Sequence, residues 1–310
     1  MANNSNNWNF ERGLDDDFMK KLECVAKEGG WFADVLRDHD LILGIRKNYV
    51  NVYEQGQSLF KIERNAGKGS LKFSTHPKYL VDPDLYKPVS FDGSNFRVHE
   101  LKPLIREYTG PKTLAQLKRA AKLYRGDEKH GVHHIVRANP NVVDTEIAFS
   151  RETGAESEAY VPRIDLACFE DVNGSIRLRF WEAKLYGNNE IRADGDTLPP
   201  VVEQVSRYQK LVEKHRKELV ESYRVVARNL VAIAQWADGQ RTVGELVERV
   251  ARGEDFVIDE PPVVGLVVFG YDGAQKVNAR WKKEFEKLAH VDSMPILSAG
   301  SPNQIKLRCR

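Results

Sequence analysis

The chain has 310 residues, 41% of them hydrophobic, with 5 Trp, 11 Tyr and 13 Phe: enough apolar material for one large α/β unit or two smaller ones, and too much for global disorder. Its 47 Lys and Arg against 45 Asp and Glu leave a formal net charge of +2, which excludes a histone-like wrapper and confines any anion site to a local patch. Three widely spaced cysteines, Cys24, Cys168 and Cys309, exclude a disulfide framework and any Cys-x-x-Cys zinc or redox pair.

The Asn-rich start, residues 1–10, lacks the basic flank and apolar run of an export signal, and no stretch approaches the roughly 20 apolar residues of a membrane span. The expectation is a soluble, cytoplasmic protein. Residues 15–28 place Phe18, Leu22, Val25 and Ala26 at helical spacing and stop at Gly29-Gly30. Residues 41–63 alternate instead, through Leu41, Leu43, Ile45, Val50 and Val52, and predict a β-meander. Residues 65–94 carry breakers at Gly67, Gly69, Pro77, Pro83, Pro88 and Gly93, which predict ordered loop or short edge strands. A boundary is expected near residues 96–103, dividing a β-rich extension (1–100) from a larger domain (101–310).

Residues 111–125 predict a basic amphipathic helix, with Leu114, Leu117, Ala121 and Tyr124 on one side and Lys112, Lys118, Arg119, Lys122 and Arg125 elsewhere. That basic side is either a nucleic-acid backbone contact or a solvated face. Alternating segments at 142–149 and 160–169 predict strands, and Asn173-Gly174 predicts a tight hairpin into a third strand at 175–185. Pro199-Pro200 opens a long helical pattern over 201–234. A short helix at 243–251, an apolar strand at 263–270 and a helix at 276–289 complete the chain. The fold class expected is α/β: a mixed central sheet flanked by helices, in the order α-β-β-β-α-β from residue 111 onward, with an N-terminal β-rich extension.

Chemistry concentrates on the predicted hairpin. Asp165 lies on its first strand and Glu182-Ala183-Lys184 on its second. Strand side chains alternate, so Glu182 and Lys184 share a face, and the 182 − 165 = 17 residues between the acids suffice to turn and return. Charges inside such an apolar sheet need a partner or a metal. Two carboxylates about 4 Å apart repel by roughly 4 kcal/mol at an effective dielectric of 20, and a divalent cation turns that repulsion into binding. Oxygen ligands without Cys or His favour Mg²⁺ or Mn²⁺. The alternative is an ordinary cross-strand salt bridge.

An acid on one strand, Glu-x-Lys on the next, and a following helix bearing Gln together resemble the PD-(D/E)XK nuclease superfamily, which has the restriction-endonuclease-like fold. The resemblance covers residues 111–289, and residues 1–94 lie outside it. It implies that Asp165 and Glu182 are the metal-binding acids, that Lys184 is the motif lysine, and that Glu146 is an upstream acid and further metal ligand. Gln204 and Tyr208, four apart on the next helix, stand where some members place Gln and Tyr beside the site. Ile164 rather than Pro precedes Asp165. The rival readings are a surface strand position for Glu146, a solvated helix position for Gln204 and core packing for Tyr208. A second Glu-x-Lys, Glu100-Leu101-Lys102, abuts Pro103 and has no strand leading into it.

The function implied is Mg²⁺-dependent phosphodiester hydrolysis, of DNA rather than RNA, in defence against foreign DNA by analogy. A homo-oligomer or a partner protein of a defence system would be compatible. The alternative is a nuclease-fold module that binds nucleic acid or assembles without turnover. Two other motifs fail. His130, His133 and His134 suggest a His-Asn-His nuclease, but the next histidine, His215, is 215 − 134 = 81 residues on; loop or surface histidines are expected instead. Gly67-Lys68-Gly69-Ser70 lacks the frame of a nucleotide-phosphate loop.

Overall fold

A two-residue strand, β1 (Trp8–Asn9), leads into helix α1 (Asp16–Lys27), which begins where Asp15 accepts a hydrogen bond from the Phe18 backbone and turns Phe18 and Leu22 inward. The computed structural model describes residues 8–66, 69–81, 90–91, 96–97, 105–151, 162–291 and 294–308. Helix α2 (Trp31–Arg37) follows the Gly29-Gly30 break. The expected meander is present as β2 (Ile42–Arg46), β3 (Tyr49–Glu54) and β4 (Gln57–Arg64), and β5 (Leu71–Ser74) extends it to four antiparallel strands. Two short strands, β6 (Ser90–Phe91) and β7 (Phe96–Arg97), pair with each other. Gly67, Lys68 and residues 98–104, with the second Glu-x-Lys, lie outside the described residues.

The basic helix is α3 (Pro111–Lys122). It buries Leu114, Leu117 and Ala121 and packs on α2 and the meander. Lys118 turns inward with them, onto Asp38 at 2.6 Å and near Glu54 at 3.7 Å, and so is not part of a solvated basic face. A helix that the sequence did not announce follows, α4 (Asp127–Ala138), and it carries His130, His133 and His134, which were expected on a loop or the surface. His133 is buried and its Nδ1 accepts from the Gln55 backbone at 3.2 Å. Gly131 lets this helix press on Phe269, where a Cβ would come within 1.9 Å of the ring.

Next come β8 (Val142–Ala148), β9 (Ser150–Arg151), which pairs with β1, then β10 (Arg163–Val172) and β11 (Ser175–Leu185). Asn173 and Gly174 join the last two with φ of 55° and 82°, the positive-φ pair that a two-residue hairpin requires. The helical pattern over 201–234 is two helices, α5 (Pro200–Lys214) and α6 (Arg216–Gln235), interrupted at His215, whose φ of −108° and ψ of 20° are not helical. After α7 (Glu245–Ala251), β12 (Phe256–Val257) and β13 (Val264–Phe269), the last helical pattern also divides, into α8 (Gly273–Val277) and α9 (Ala279–Ala289), because Asn278 caps α9 by accepting from the Trp281 backbone. A final strand, β14 (Ile296–Ala299), closes the sheet.

The main sheet has the order β14-β13-β11-β10-β8, with β12 beside β11. β8, β10 and β11 are antiparallel, whereas β13 and β14 run parallel to β11, so the helices between them must cross the sheet. The fold is therefore α/β, with a mixed six-stranded sheet, a separate four-stranded antiparallel sheet and flanking helices. Ile176, Leu178 and Phe180 of β11 share a core with Val205, Tyr208 and Val212 of α5. Trp181 and Ala183, on the opposite face, pack with Val132 and Ile135 of α4. No helix among the described residues is long and apolar enough to cross a membrane.

The N-terminal part is pinned to β8 by a buried network. Asp144 receives Arg46 Nη1 at 2.5 Å, Arg12 Nε at 3.3 Å and the Tyr223 hydroxyl at 3.2 Å, and Arg46 also donates to the Thr145 carbonyl. Both arginines and the acid are nearly inaccessible to solvent.

Candidate active site

On β11 the apolar series Ile176, Leu178, Phe180 continues on the same face as Glu182 and Lys184. Two charges therefore stand where the alternation calls for core residues, and both are buried, with 3% and 5% exposure. The antiparallel register pairs Leu166 with Trp181, which brings Asp165 opposite Glu182. Asp165 Oδ2 accepts from the Ala183 backbone at 2.8 Å and is thereby locked to the second strand. Lys184 Nζ lies 2.7 Å from Glu182 Oε1. Asp165, Glu182 and Lys184 thus come together as the sequence predicts.

The electrostatics of the two acids are those of a crowded, dry site. Burial raises the Asp165 carboxyl well above the usual carboxylate range, the Glu182 charge adds to that, and the Ala183 N–H only partly offsets it. Burial likewise raises Glu182, to about 7; Lys184 restrains the rise, Glu128 adds to it, and a hydrogen bond with Asp165 restrains it further. Burial and mutual proximity thus both work against ionising the two carboxyls together. Glu182 Oε2 is buried and has no hydrogen-bond partner. A buried acceptor left open costs free energy unless something occupies it.

At Lys184 burial acts to lower the pKa, but Glu182 and Glu190 outweigh it and the ammonium is held above its ordinary range. Glu190, absent from the sequence-derived site, reaches Lys184 at 2.5 Å from a one-turn 3₁₀ helix, Asn189–Ile191, just past the end of β11. Glu128, also absent from it, comes from α4 and accepts from the Leu185 backbone at 3.0 Å and the Asn188 side chain at 2.8 Å. The signal for Glu190 is local: Asn188, a turn-capping residue, sits two positions before an acid where a strand ends. Nothing near Glu128 in the sequence marks it.

Glu146 occupies the β8 position facing Asp165, between the pairs Ile147–Ile164 and Thr145–Leu166, but in a left-handed conformation with φ of 55°. Its carboxylate is engaged by Lys129 at 3.2 Å and Arg163 at 2.9 Å, while its charge still raises Asp165. Among the described residues no three His, Cys, Asp or Glu side chains form a ready cation cage, so the three-acid metal site is not assembled. Gln204 is adjacent through one intermediary: its Nε2 donates to the Tyr208 hydroxyl at 2.8 Å, and that hydroxyl donates to the Arg163 carbonyl at 2.8 Å, two residues before Asp165. Gln204 Oε1 is buried without a partner. Tyr208 is fully buried, in line with core packing, and its hydroxyl also steadies β10.

The donor set fits a hard divalent cation in part. Asp165, the open Glu182 oxygen and the Ala183 carbonyl offer oxygen only, at a place where two carboxylates repel. Comparison with protein-family models, curated proteins and solved structures finds no match to the chain.

Proposed function

We propose that this chain is a metal-dependent phosphodiester hydrolase of the PD-(D/E)XK type, acting on nucleic acid, with DNA the expected substrate. The single observation that carries the reading is the triad itself: half-buried Asp165 across the ladder from buried Glu182, with Lys184 buried on the same face and one Glu182 oxygen left without a partner. A salt bridge alone needs one acid per lysine, and it does not explain a second carboxyl placed beside the first where burial and the first acid's charge both disfavour its ionisation. The α-β-β-β-α-β order around the site supports the same assignment.

In this reading Asp165 and Glu182, with the Ala183 carbonyl, would hold Mg²⁺ or Mn²⁺, which would lower the pKa of a coordinated water and offset charge on the phosphate. The remaining roles belong to the chain. Asp165 and Glu182 serve as ligands only when ionised, so cation binding would be coupled to loss of any proton that burial keeps on them. Lys184, held as an ammonium, offers charge-assisted hydrogen bonds to a phosphate oxygen as negative charge develops there. Arg163 and Lys129, at the rim beside Glu146, can engage flanking phosphates, and Tyr208 with Gln204 fixes the strand that carries Asp165. A role in defence against foreign DNA extends the proposal by analogy.

Wild type and the variants Asp165→Ala, Glu182→Ala and Lys184→Ala should be incubated with plasmid and oligonucleotide substrates in Mg²⁺ or EDTA. Wild type cleaves only with the cation, and each variant, still folded by circular dichroism, loses cleavage. A variant cutting at the wild-type rate refutes the assignment, and a wild type that binds but never cuts favours the non-hydrolytic alternative.

A further inference from the structure

We infer that Glu190 is a positioning residue for Lys184: together with Glu182 it holds the ammonium in place. The inference rests on the hydrolase reading and names a residue outside the motif that gave rise to it. Lys184 lies between two carboxylates, Glu182 Oε1 at 2.7 Å and Glu190 Oε2 at 2.5 Å. A lysine side chain is a flexible four-carbon stem that one partner leaves free to swing; two partners fix its direction.

Glu190 is presented by a built turn. Ile191 next to it is fully buried and anchors the turn in the main core. Asn188 Oδ1 accepts from the Glu190 backbone at 2.9 Å, and Asn188 Nδ2 donates to Glu128, which also caps the Leu185 backbone. Before the turn, the Tyr186 backbone donates to the Phe269 carbonyl at 2.7 Å, which extends the β11–β13 ladder past Lys184. The backbone between Lys184 and Glu190 is thus tied to α4 at Leu185, to β13 at Tyr186 and to its own turn at Asn188 and Glu190. The Glu190 carboxylate itself is half exposed, so the chain has placed an acid at the solvent edge of an already acidic site.

Charge balance gives that placement a purpose. Asp165, Glu182 and Glu190 ionised, against Lys184, sum to −2, the complement of one divalent cation. Glu190 shares in offsetting Lys184, which leaves Asp165 and the open Glu182 Oε2 to serve as ligands. Without it Lys184 draws on Glu182 alone, and a ligand carboxylate is diverted to a salt bridge.

The test uses Glu190→Gln and Glu190→Asp in the full chain. Glu190→Gln should lower kcat by about 10–100-fold, the range for partners that orient functional groups, with KM little changed, and Glu190→Asp should recover part of the loss. A readout independent of turnover is the Lys184 ammonium resonance in cation-free protein, assigned by its disappearance in Lys184→Met. It is expected to be narrow and protected from exchange in wild type and in Glu190→Asp, and broadened in Glu190→Gln. Unchanged kcat would make Glu190 a surface acid, and raised kcat would make it a plug. A loss of Mn²⁺ affinity matching that of Asp165→Ala would make it a ligand. Each of these overturns the inference. A wild type that fails to hydrolyse any substrate counts against the hydrolase reading, while the resonance still decides what holds Lys184.

Discussion

The carboxyl pair should make the cation-free protein less stable as pH rises, and Glu182→Gln should remove that loss. Glu182 moves from an ordinary value of 4.5 to about 7 because burial disfavours its charge. Between those two values the folded chain keeps a proton that the unfolded chain has released. Stability therefore falls as pH rises from 4.5 to 7, and at about 1.4 kcal/mol per pH unit the fall amounts to roughly 3 kcal/mol. Asp165, raised by burial and by Glu182, acts in the same direction. His133 acts in the opposite one: burial lowers it from 6.5 to about 4, so its contribution grows as pH rises through that window and masks part of the decline in wild type. The difference between wild type and Glu182→Gln removes the histidine from the comparison. Urea unfolding followed by tryptophan fluorescence in EDTA, from pH 4.5 to 8, should show that difference shifting by roughly 3 kcal/mol in favour of Gln as pH increases. The loss of one Lys184 partner enters largely as an offset, because the ammonium is held above its ordinary range and stays charged throughout. Mg²⁺ at 100 times its dissociation constant should restore about 2.7 kcal/mol to wild type at pH 8 and little to the variant. A flat difference, or one that favours Glu as pH rises, would refute the buried-proton reasoning.

Asp144→Ala should destabilise the chain by about 3–5 kcal/mol in the same unfolding assay, because it leaves the Arg12 and Arg46 guanidinium groups buried without their counter-charge; a loss below about 1 kcal/mol would mean that water reaches the pair. Gly131→Ala separates two effects of opposite sign. Helix propensity alone favours Ala by about 1 kcal/mol, but a methyl 1.9 Å from the buried Phe269 ring overpacks the interface between α4 and the sheet, at about 1–3 kcal/mol. A lowered Tm is expected, and a raised one would show that the ring can move aside.

Local patterns were readable in the sequence wherever one physical rule dominated. The β10–β11 hairpin followed from Asn173-Gly174 and a regular alternation, and with it came the register that sets Asp165 against Glu182. Helix α4 escaped because its sequence, DEKHGVHHIVRA, mixes histidines and a glycine that suggest a loop; that glycine is there to let Phe269 approach. The breaks at His215 and Asn278 were hidden inside apolar periodicities that run on across them. The Asp144 network could not be foreseen, since its arginines come from 132 and 98 residues away. Glu146 faces Asp165 across the ladder, but its left-handed φ and its ion pairs with Lys129 and Arg163 had no mark in the sequence.

That same stretch of β8 bears on how the site is supported. Arg46 grips Asp144 through its side chain and Thr145 through its carbonyl, the two residues directly before the left-handed Glu146. The N-terminal meander, through β2, thus reaches to within one residue of an acid whose charge bears on Asp165. Placing the Asp165 and Glu182 carboxyls side by side in a desolvated setting costs free energy, which the proposed hydrolase would use and a module that only bound or assembled would not. Replacing either by a neutral isostere would relieve that cost, and substitutions of this kind are easy to reach. On the proposed hydrolase reading that cost is retained for the work the two acids do with Lys184, and the strands that carry them are buttressed by α4 through Glu128 and by α5 through Tyr208.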